Sequence, residues 1–210
     1  LAIERADIVI VGAGAAGLMA AIWAGRTNPS RSIMLLDGAR TLGAKILVAG
    51  GGRCNVSHDV VDADAYAGSS RNAIKKVLRR FDVPETIRFF REMGVVLKRE
   101  ETGKLFPVTD SARTVLNALL NAAERVNVDI RHPRRVLRIV KSDEGFIVGG
   151  EWGEIEAGKV VLATGGRSLP KSGSDGFGYE IAKSLGHSLT RRIFPALVPL
   201  TLPKDHFICS

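Results

Sequence analysis

The spacing of hydrophobic positions changes several times along the chain, and each change marks an element. Residues 7–11 are short and apolar without polar alternation, as in a strand buried on both faces. Glycines at 12, 14 and 17 then make a tight turn, and residues 18–25 read as a helix. A second apolar strand follows at 33–36 and ends at Asp37. Strand, glycine turn, helix and strand in this order form the opening βαβ unit of a Rossmann-like sheet.

Glycines dominate residues 43–52, which predicts a loop. Helical spacing returns over 72–81 and 85–93. Residues 95–98 and 104–106 predict a hairpin around Thr102-Gly103. Asp110 or Ser111 is placed to cap a helix whose stripe is Val115, Leu116, Leu119, Leu120 and Ala123. Short strands at 128–130, 136–140, 145–148 and 154–157, with turn signals between them, predict a small antiparallel meander. An apolar strand at 159–163 returns to the main sheet, and a helix at 176–185 ends at Gly186. His187 then reads as a helix-end residue rather than a base. Beyond Arg192, Phe194-Pro195, Val198-Pro199 and Leu202-Pro203 favour extended chain. The expected organisation is one domain over 1–193, with 194–210 opening a connection to a second. The fold class is α/β: a mostly parallel Rossmann-like sheet, flanking helices and a small antiparallel β-meander.

Composition narrows the function classes. No apolar run approaches the roughly 20 residues of a membrane span, and residues 8–11 run straight into glycines, unlike a signal peptide. The expected compartment is the cytoplasm. Cys54 and Cys209 make neither a disulfide framework nor a Cys-x-x-Cys metal pair, so no metal is expected. The net charge is +8, but the cations are dispersed, the densest groups being Lys75-Lys76 with Arg79-Arg80, and Arg131 with Arg134-Arg135. With aromatics at 6%, stacking platforms are few, which argues against nucleic acid and for a small-molecule substrate.

Three motifs carry the candidate chemistry. In the first, Gly12 makes the turn, Gly14 lets backbone approach a pyrophosphate, and Gly17 lets helix and strand close up. Ala15 and Ala16 lie where the helix offers N–H groups to phosphate. Asp37 stands 20 residues past Gly17, where an acid binds ribose hydroxyls, with Gly38 beside it. In the second motif, Gly51, Gly52, Arg53, Cys54 and Asn55 follow an apolar stretch at 46–49. Bare glycine backbone there can approach a flat ring, and Arg53 or Asn55 can hold a pyrophosphate or a flavin carbonyl. Cys54 has no second cysteine nearby and reads as a packing residue. The third motif, Ala163-Thr164-Gly165-Gly166, ends the returning strand with small residues that let a second crossing pass near a cofactor.

These blocks resemble a prokaryotic NAD(P)/FAD-dependent oxidoreductase family that includes BaiN-like reductases and aminoacetone oxidases. It lies within the glutathione-reductase-like superfamily of two-dinucleotide-binding flavoproteins. The resemblance rests on Gly-Gly-Gly-Arg-Cys-Asn at 50–55 and Gly-Lys-Leu-Phe-Pro at 103–107. It rests also on Pro170-Lys171-Ser172-Gly173-Ser174-Asp175-Gly176 with Gly178-Tyr179, Leu185-Gly186-His187, and the block at 195–200. It implies FAD, with adenosine near residues 12–17 and Asp37, isoalloxazine near residues 51–55, an adenine contact around Val136, and Thr164 and Gly165 along the other side. Lys45 would be a further cofactor contact, although Ala44 stands where the family carries a basic residue. NAD(P)H is an implied electron donor. An inserted substrate domain is expected to begin near Phe194, and a later segment to return and complete the pocket. Two other readings stay open: an NAD-dependent dehydrogenase domain, and an RNA-associated flavoprotein.

Overall fold

β1 (Glu4–Val11) organises the molecule because its alternate side chains feed two separate cores. Ile8 and Ile10 point into one cluster, and Val9 and Val11 into the other. In the computed structural model, residues 3–66, 70–168 and 173–193 are described. After β1 come α1 (Ala15–Thr27), β2 (Ile33–Leu36), α2 (Ala44–Val48) and β3 (Ser57–His58). Next are α3 (Arg71–Leu78), α4 (Val83–Glu92), β4 (Leu97–Arg99), β5 (Lys104–Pro107) and α5 (Ala112–Arg125). The remainder is β6 (Val128–Arg131), β7 (Arg138–Ser142), β8 (Gly145–Gly150), β9 (Gly153–Leu162) and α6 (Phe177–Ser184). None of these helices is long and apolar enough to cross a membrane.

The main sheet has the order β6-β2-β1-β9-β8-β7. The pairs β6–β2, β2–β1 and β1–β9 are parallel, while β9–β8 and β8–β7 are antiparallel. A second sheet, β3-β5-β4, is antiparallel. This is the expected α/β class, with three local differences. Residues 154–157 and 159–163 belong largely to one continuous strand, β9, whose first half pairs with β8 on one edge while β1 pairs along the other. Gly158 interrupts the pattern without breaking the strand: a Cβ there would lie only 3.0 Å from the Asp7 carbonyl oxygen. Strand β6 is not part of the meander but a parallel edge beside β2. The predicted loop at 43–52 contains α2, followed by a 3₁₀ turn at Ala49–Gly52.

One face of the sheet is covered by α1 and α5. Leu18, Ala21 and Ile22 of α1 and Val115, Leu116 and Leu119 of α5 are buried there with Ile10 and Leu35. Each aliphatic side chain so buried contributes about 1.5–3 kcal/mol. Phe89 and Phe90 of α4 extend this core, and the Asp82 side chain caps α4 by accepting from the Glu85 N–H at 2.9 Å. Ser111 stands at the N-cap of α5 without a side-chain bond. On the opposite face, the antiparallel wing and α6 bury Val9, Val11, Met34 and Leu36 against Ile139, Val148, Ile155 and Ile181. The predicted connection at 194–210 lies outside the described residues.

Candidate dinucleotide-binding cleft

β1 delivers Gly12 to the carboxyl end of the parallel strands, where the chain turns into α1. Gly12 has φ +105°, and a Cβ on it would lie 2.6 Å from the Ala163 carbonyl oxygen. Gly17 is tighter still, with a Cβ position 1.8 Å from the Gly12 carbonyl oxygen. These two glycines let α1, β1 and the end of β9 meet at backbone distance. Gly14 differs. No protein atom lies within 4 Å of its missing Cβ, and the residue lines a cleft of about 1110 Å³. Gly14 is also the N-cap of α1, which has no side-chain cap and no acidic residue in its first turn. The helix N–H groups and its positive end therefore face the cleft beside exposed Ala15 and Ala16.

Asp37 holds the neighbouring wall. Its Oδ2 accepts from the Ala13 N–H at 2.6 Å and its Oδ1 from the Ala39 N–H at 2.7 Å. Each oxygen keeps lone pairs for a ribose hydroxyl. The Arg134 N–H donates to the Asp37 carbonyl at 2.6 Å, bringing the segment before β7 to this end, where Val136 is buried on the lining with Gly38 close by. From α2, the Lys45 ammonium donates to Ser168 Oγ at 2.5 Å. Lys45 lines a cleft that also carries Arg40, Arg134 and Arg135. Arg135 pairs with Asp175 at 2.7 Å and lies 5.1 Å from the Phe177 ring centre.

At the opposite end the backbone is wound into left-handed conformations. Gly50, Gly51, Gly52 and Cys54 have φ of +56°, +68°, +87° and +63°. A Cβ on Gly50 would meet both the Asn55 nitrogen and the Phe106 ring at 2.8 Å, so this turn is packed onto β5. The Cys54 N–H donates to the Ala49 carbonyl at 2.9 Å, and Cys54 and Asn55 line the cleft. Burial pushes the Cys54 thiol pKa up, which keeps it protonated and poorly nucleophilic. Across from them, the Ala163 N–H donates to the Val11 carbonyl at 2.8 Å, and Thr164 and Gly165 line the wall. Gly178 makes room there: a Cβ on it would fall 2.0 Å from Thr164 Oγ1, so α6 seats directly on the third motif.

Thirteen of the expected site residues line this one cleft: Gly12, Gly14, Ala15, Ala16, Asp37, Gly38, Lys45, Cys54, Asn55, Val136, Ala163, Thr164 and Gly165. Gly17 acts behind the lining through its contact with Gly12. Gly51 and Gly52 are exposed and off the lining. Arg53 departs from the expectation of a phosphate or flavin contact. Its guanidinium lies 4.0 Å from the Phe106 ring centre and donates to Glu100 at 2.5 Å, on the hairpin side. His187 closes α6 through its N–H, which donates to the Ala182 carbonyl at 3.1 Å.

Sequence reasoning named Arg134 and Arg135 only as a basic group and missed Arg40, which joins them at the cleft from a separate segment and shares no spacing with the glycines. It also missed the apolar end made by Met19, Phe81, Thr86 and Phe90. Met19 could have been found, since it stands one helical turn beyond Ala15 on the same face.

Residues 6–192 match the family described as HI0933-like protein Rossmann domain. The chain belongs to that family. It is 36% identical over 200 residues to the 3-dehydro-bile acid delta(4,6)-reductase of Clostridium scindens, covering 95% of this chain and 48% of that protein. It is 36% identical over 203 residues to the ribosomal RNA dihydrouridine synthase of Escherichia coli, covering 96% of this chain and 49% of that protein. The chain thus spans about half the length of these curated relatives. Among solved structures, the 3-ketosteroid-delta4-(5alpha)-dehydrogenase of Rhodococcus jostii aligns with a TM-score of 0.66 at 18% identity, over 88% of this chain and 55% of that one. That likeness establishes a shared fold.

Proposed function

We propose that this HI0933-like chain is the FAD-holding part of a flavin-dependent oxidoreductase, whose intact form passes hydride between the flavin and a small-molecule acceptor. One observation carries the reading: one cleft of about 1110 Å³ is lined by Asp37 and Val136 together with Asn55, Thr164 and Gly165. That exceeds the roughly 300–1,000 Å³ of ordinary small-molecule pockets, and it suits an extended dinucleotide carrying a second ring system. The residues fit the group. Gly14 leaves open space where a diphosphate approaches, the unopposed N-terminus of α1 meets its charge, and Asp37 offers acceptors to a ribose.

When bound, FAD supplies two-electron chemistry through flavin N5. The protein's share is positional. Residues 12–16 hold the diphosphate by backbone, and Lys45 and Arg40 add charge at the rim. Asn55, Ala163, Thr164 and Gly165 line the same cleft and would meet the ring system there. NAD(P)H is the proposed electron donor.

An absorption spectrum of the purified chain, repeated after adding FAD and desalting, tests the reading. Retained bands near ~370 and ~450 nm are expected from oxidised flavin. Tight NADH binding without any retained flavin would replace it with the NAD-dependent dehydrogenase reading.

A second reading gives the intact protein RNA as its acceptor. The Escherichia coli relative is named for dihydrouridine synthesis in ribosomal RNA. On this chain the favouring observation is the cationic group of Lys75, Lys76, Arg79 and Arg80 at the end of α3, which no carboxylate approaches within 4 Å among the described residues.

A further inference from the structure

α3 is built unlike the other helices. Its eight residues include none that is buried, and it rests on the 3₁₀ turn at Ala63–Ala65. Ile74 and Leu78 are half-buried, and Val77 is 68% exposed. Lys75 and Lys76 stand in the last turn of α3, and Arg79 and Arg80 follow in the turn that closes it, where their N–H groups donate to the Lys75 and Val77 carbonyls at 3.0 Å, so the four cations cluster at this end of the helix. Arg71 at the start of the helix pairs with Asp64. Among the described residues, no carboxylate comes within 4 Å of the other four cations. Like charges at this spacing repel, and no packing requirement explains four of them together.

The face continues into an aromatic surface. Phe81 follows Arg80 in the chain, and its ring lies 6.1 Å, edge-on, from Trp23 of α1. Trp23 is 40% exposed and is backed by Phe89 at 6.3 Å, nearly parallel. The Arg26 guanidinium lies 5.5 Å from the Trp23 ring centre. Phe81 lines the cleft, and so does Met19, one helical turn before Trp23. The chain thus runs from the four cations directly into Phe81, which both packs on the exposed Trp23 ring and lines the cleft.

We propose that this surface docks single-stranded RNA, with phosphates on Lys75, Lys76, Arg79 and Arg80 and a base stacked on Trp23. The proposal rests on the RNA reading of function and says where the RNA lies. Backbone charge plus an aromatic face is the chemistry by which single strands are held. A membrane surface fits less well, because the apolar side of α3 is half-covered by protein and leaves only Val77 well exposed.

The test uses the FAD-loaded chain and a fluorescein-labelled, uridine-containing RNA of about 20 nucleotides, read by anisotropy across a KCl series. Wild type should bind with a log–log salt slope near −3, about −0.7 for each of four contacts. The variant carrying Lys75→Glu, Lys76→Glu, Arg79→Glu and Arg80→Glu should lose binding at least about 100-fold. The milder Lys75→Gln, Lys76→Gln pair should lower the slope by about 1.4. Trp23→Ala should weaken binding about tenfold at unchanged slope. The lysine and arginine variants should keep the flavin spectrum and melting temperature, whereas Trp23→Ala, which also loses its packing on Phe81 and Phe89, should keep the flavin spectrum but melt lower. RNA binding that is equally strong in the variants removes this surface but leaves the RNA reading standing. No RNA binding by wild type at about 50 mM salt removes both. Variants that lose phosphatidylserine vesicles while keeping RNA would assign the face to a membrane instead.

Discussion

Two glycine-rich stretches flank the cleft, and glycine does different work in each. At Gly17 the missing side chain is a matter of space alone, since the Gly12 carbonyl oxygen stands 1.8 Å from where a Cβ would be, and at Gly12 a backbone oxygen at 2.6 Å adds to a φ of +105°. Around Gly51 it is a matter of dihedral angle: φ is +68°, yet nothing lies within 4 Å of the Cβ position. Gly14 belongs to neither case, because its empty space faces the ligand rather than the protein. Identical residues in one site can therefore serve close packing, a turn, or cofactor approach, and only the surroundings tell which.

The largest effect should come from crowding the packed glycine. Gly17→Ala places a methyl inside the Gly12 carbonyl and should cost about 3 kcal/mol. Thermal denaturation should show a fall of about 6–12 °C. A melting temperature within about 2 °C of wild type would mean that α1 can shift, and the contrast would collapse. Next in size, Gly14→Val should weaken FAD about 100-fold, or ~2.7 kcal/mol, in a fluorescence titration. The melting temperature of the cofactor-free chain should barely move, because the added atoms meet no protein. Gly51→Ala should cost about 1–2 kcal/mol through its left-handed backbone alone, with FAD affinity changed threefold or less. Smallest, Arg53→Ala should cost about 0.5–1 kcal/mol by stripping the ring contact with Phe106 and a half-exposed ion pair. Its flavin spectrum should match wild type. A displaced spectrum would return Arg53 to the cofactor.

The first motif was legible because everything it needs is contiguous: β1, the glycines, α1, β2 and Asp37 fall within 34 residues of chain, from Glu4 to Asp37. Hydrophobic spacing alone places the α5 stripe, and 115, 116 and 119 are buried as their period requires. Legibility failed where partners are distant in sequence. Arg53 looks like a cofactor ligand beside its glycines, but Glu100 and Phe106 arrive from another hairpin and take it. The α2 helix was hidden because flanking glycines outweighed five helical residues, Ala-Lys-Ile-Leu-Val. The unity of β9 was hidden because Gly158 reads as a break, whereas the neighbouring strand needs its small size. The cations at 75–80 are adjacent in the sequence, but Trp23 is brought to the neighbouring Phe81 only in three dimensions.

The pairing of β1 with β9 also sets a clock on synthesis. Glu4 must wait for Ile155, and Val11 for Leu162, before the centre of the sheet can close. At about 5–20 residues per second, the ribosome takes roughly 8–30 s to supply that partner. Through that interval β2 can shield only one edge of β1, and Val9 and Val11 lack the wing that later buries them. The nascent chain therefore carries the apolar half of this central strand half-covered until β9 has been made, and this is the interval in which chaperones or aggregation compete for it.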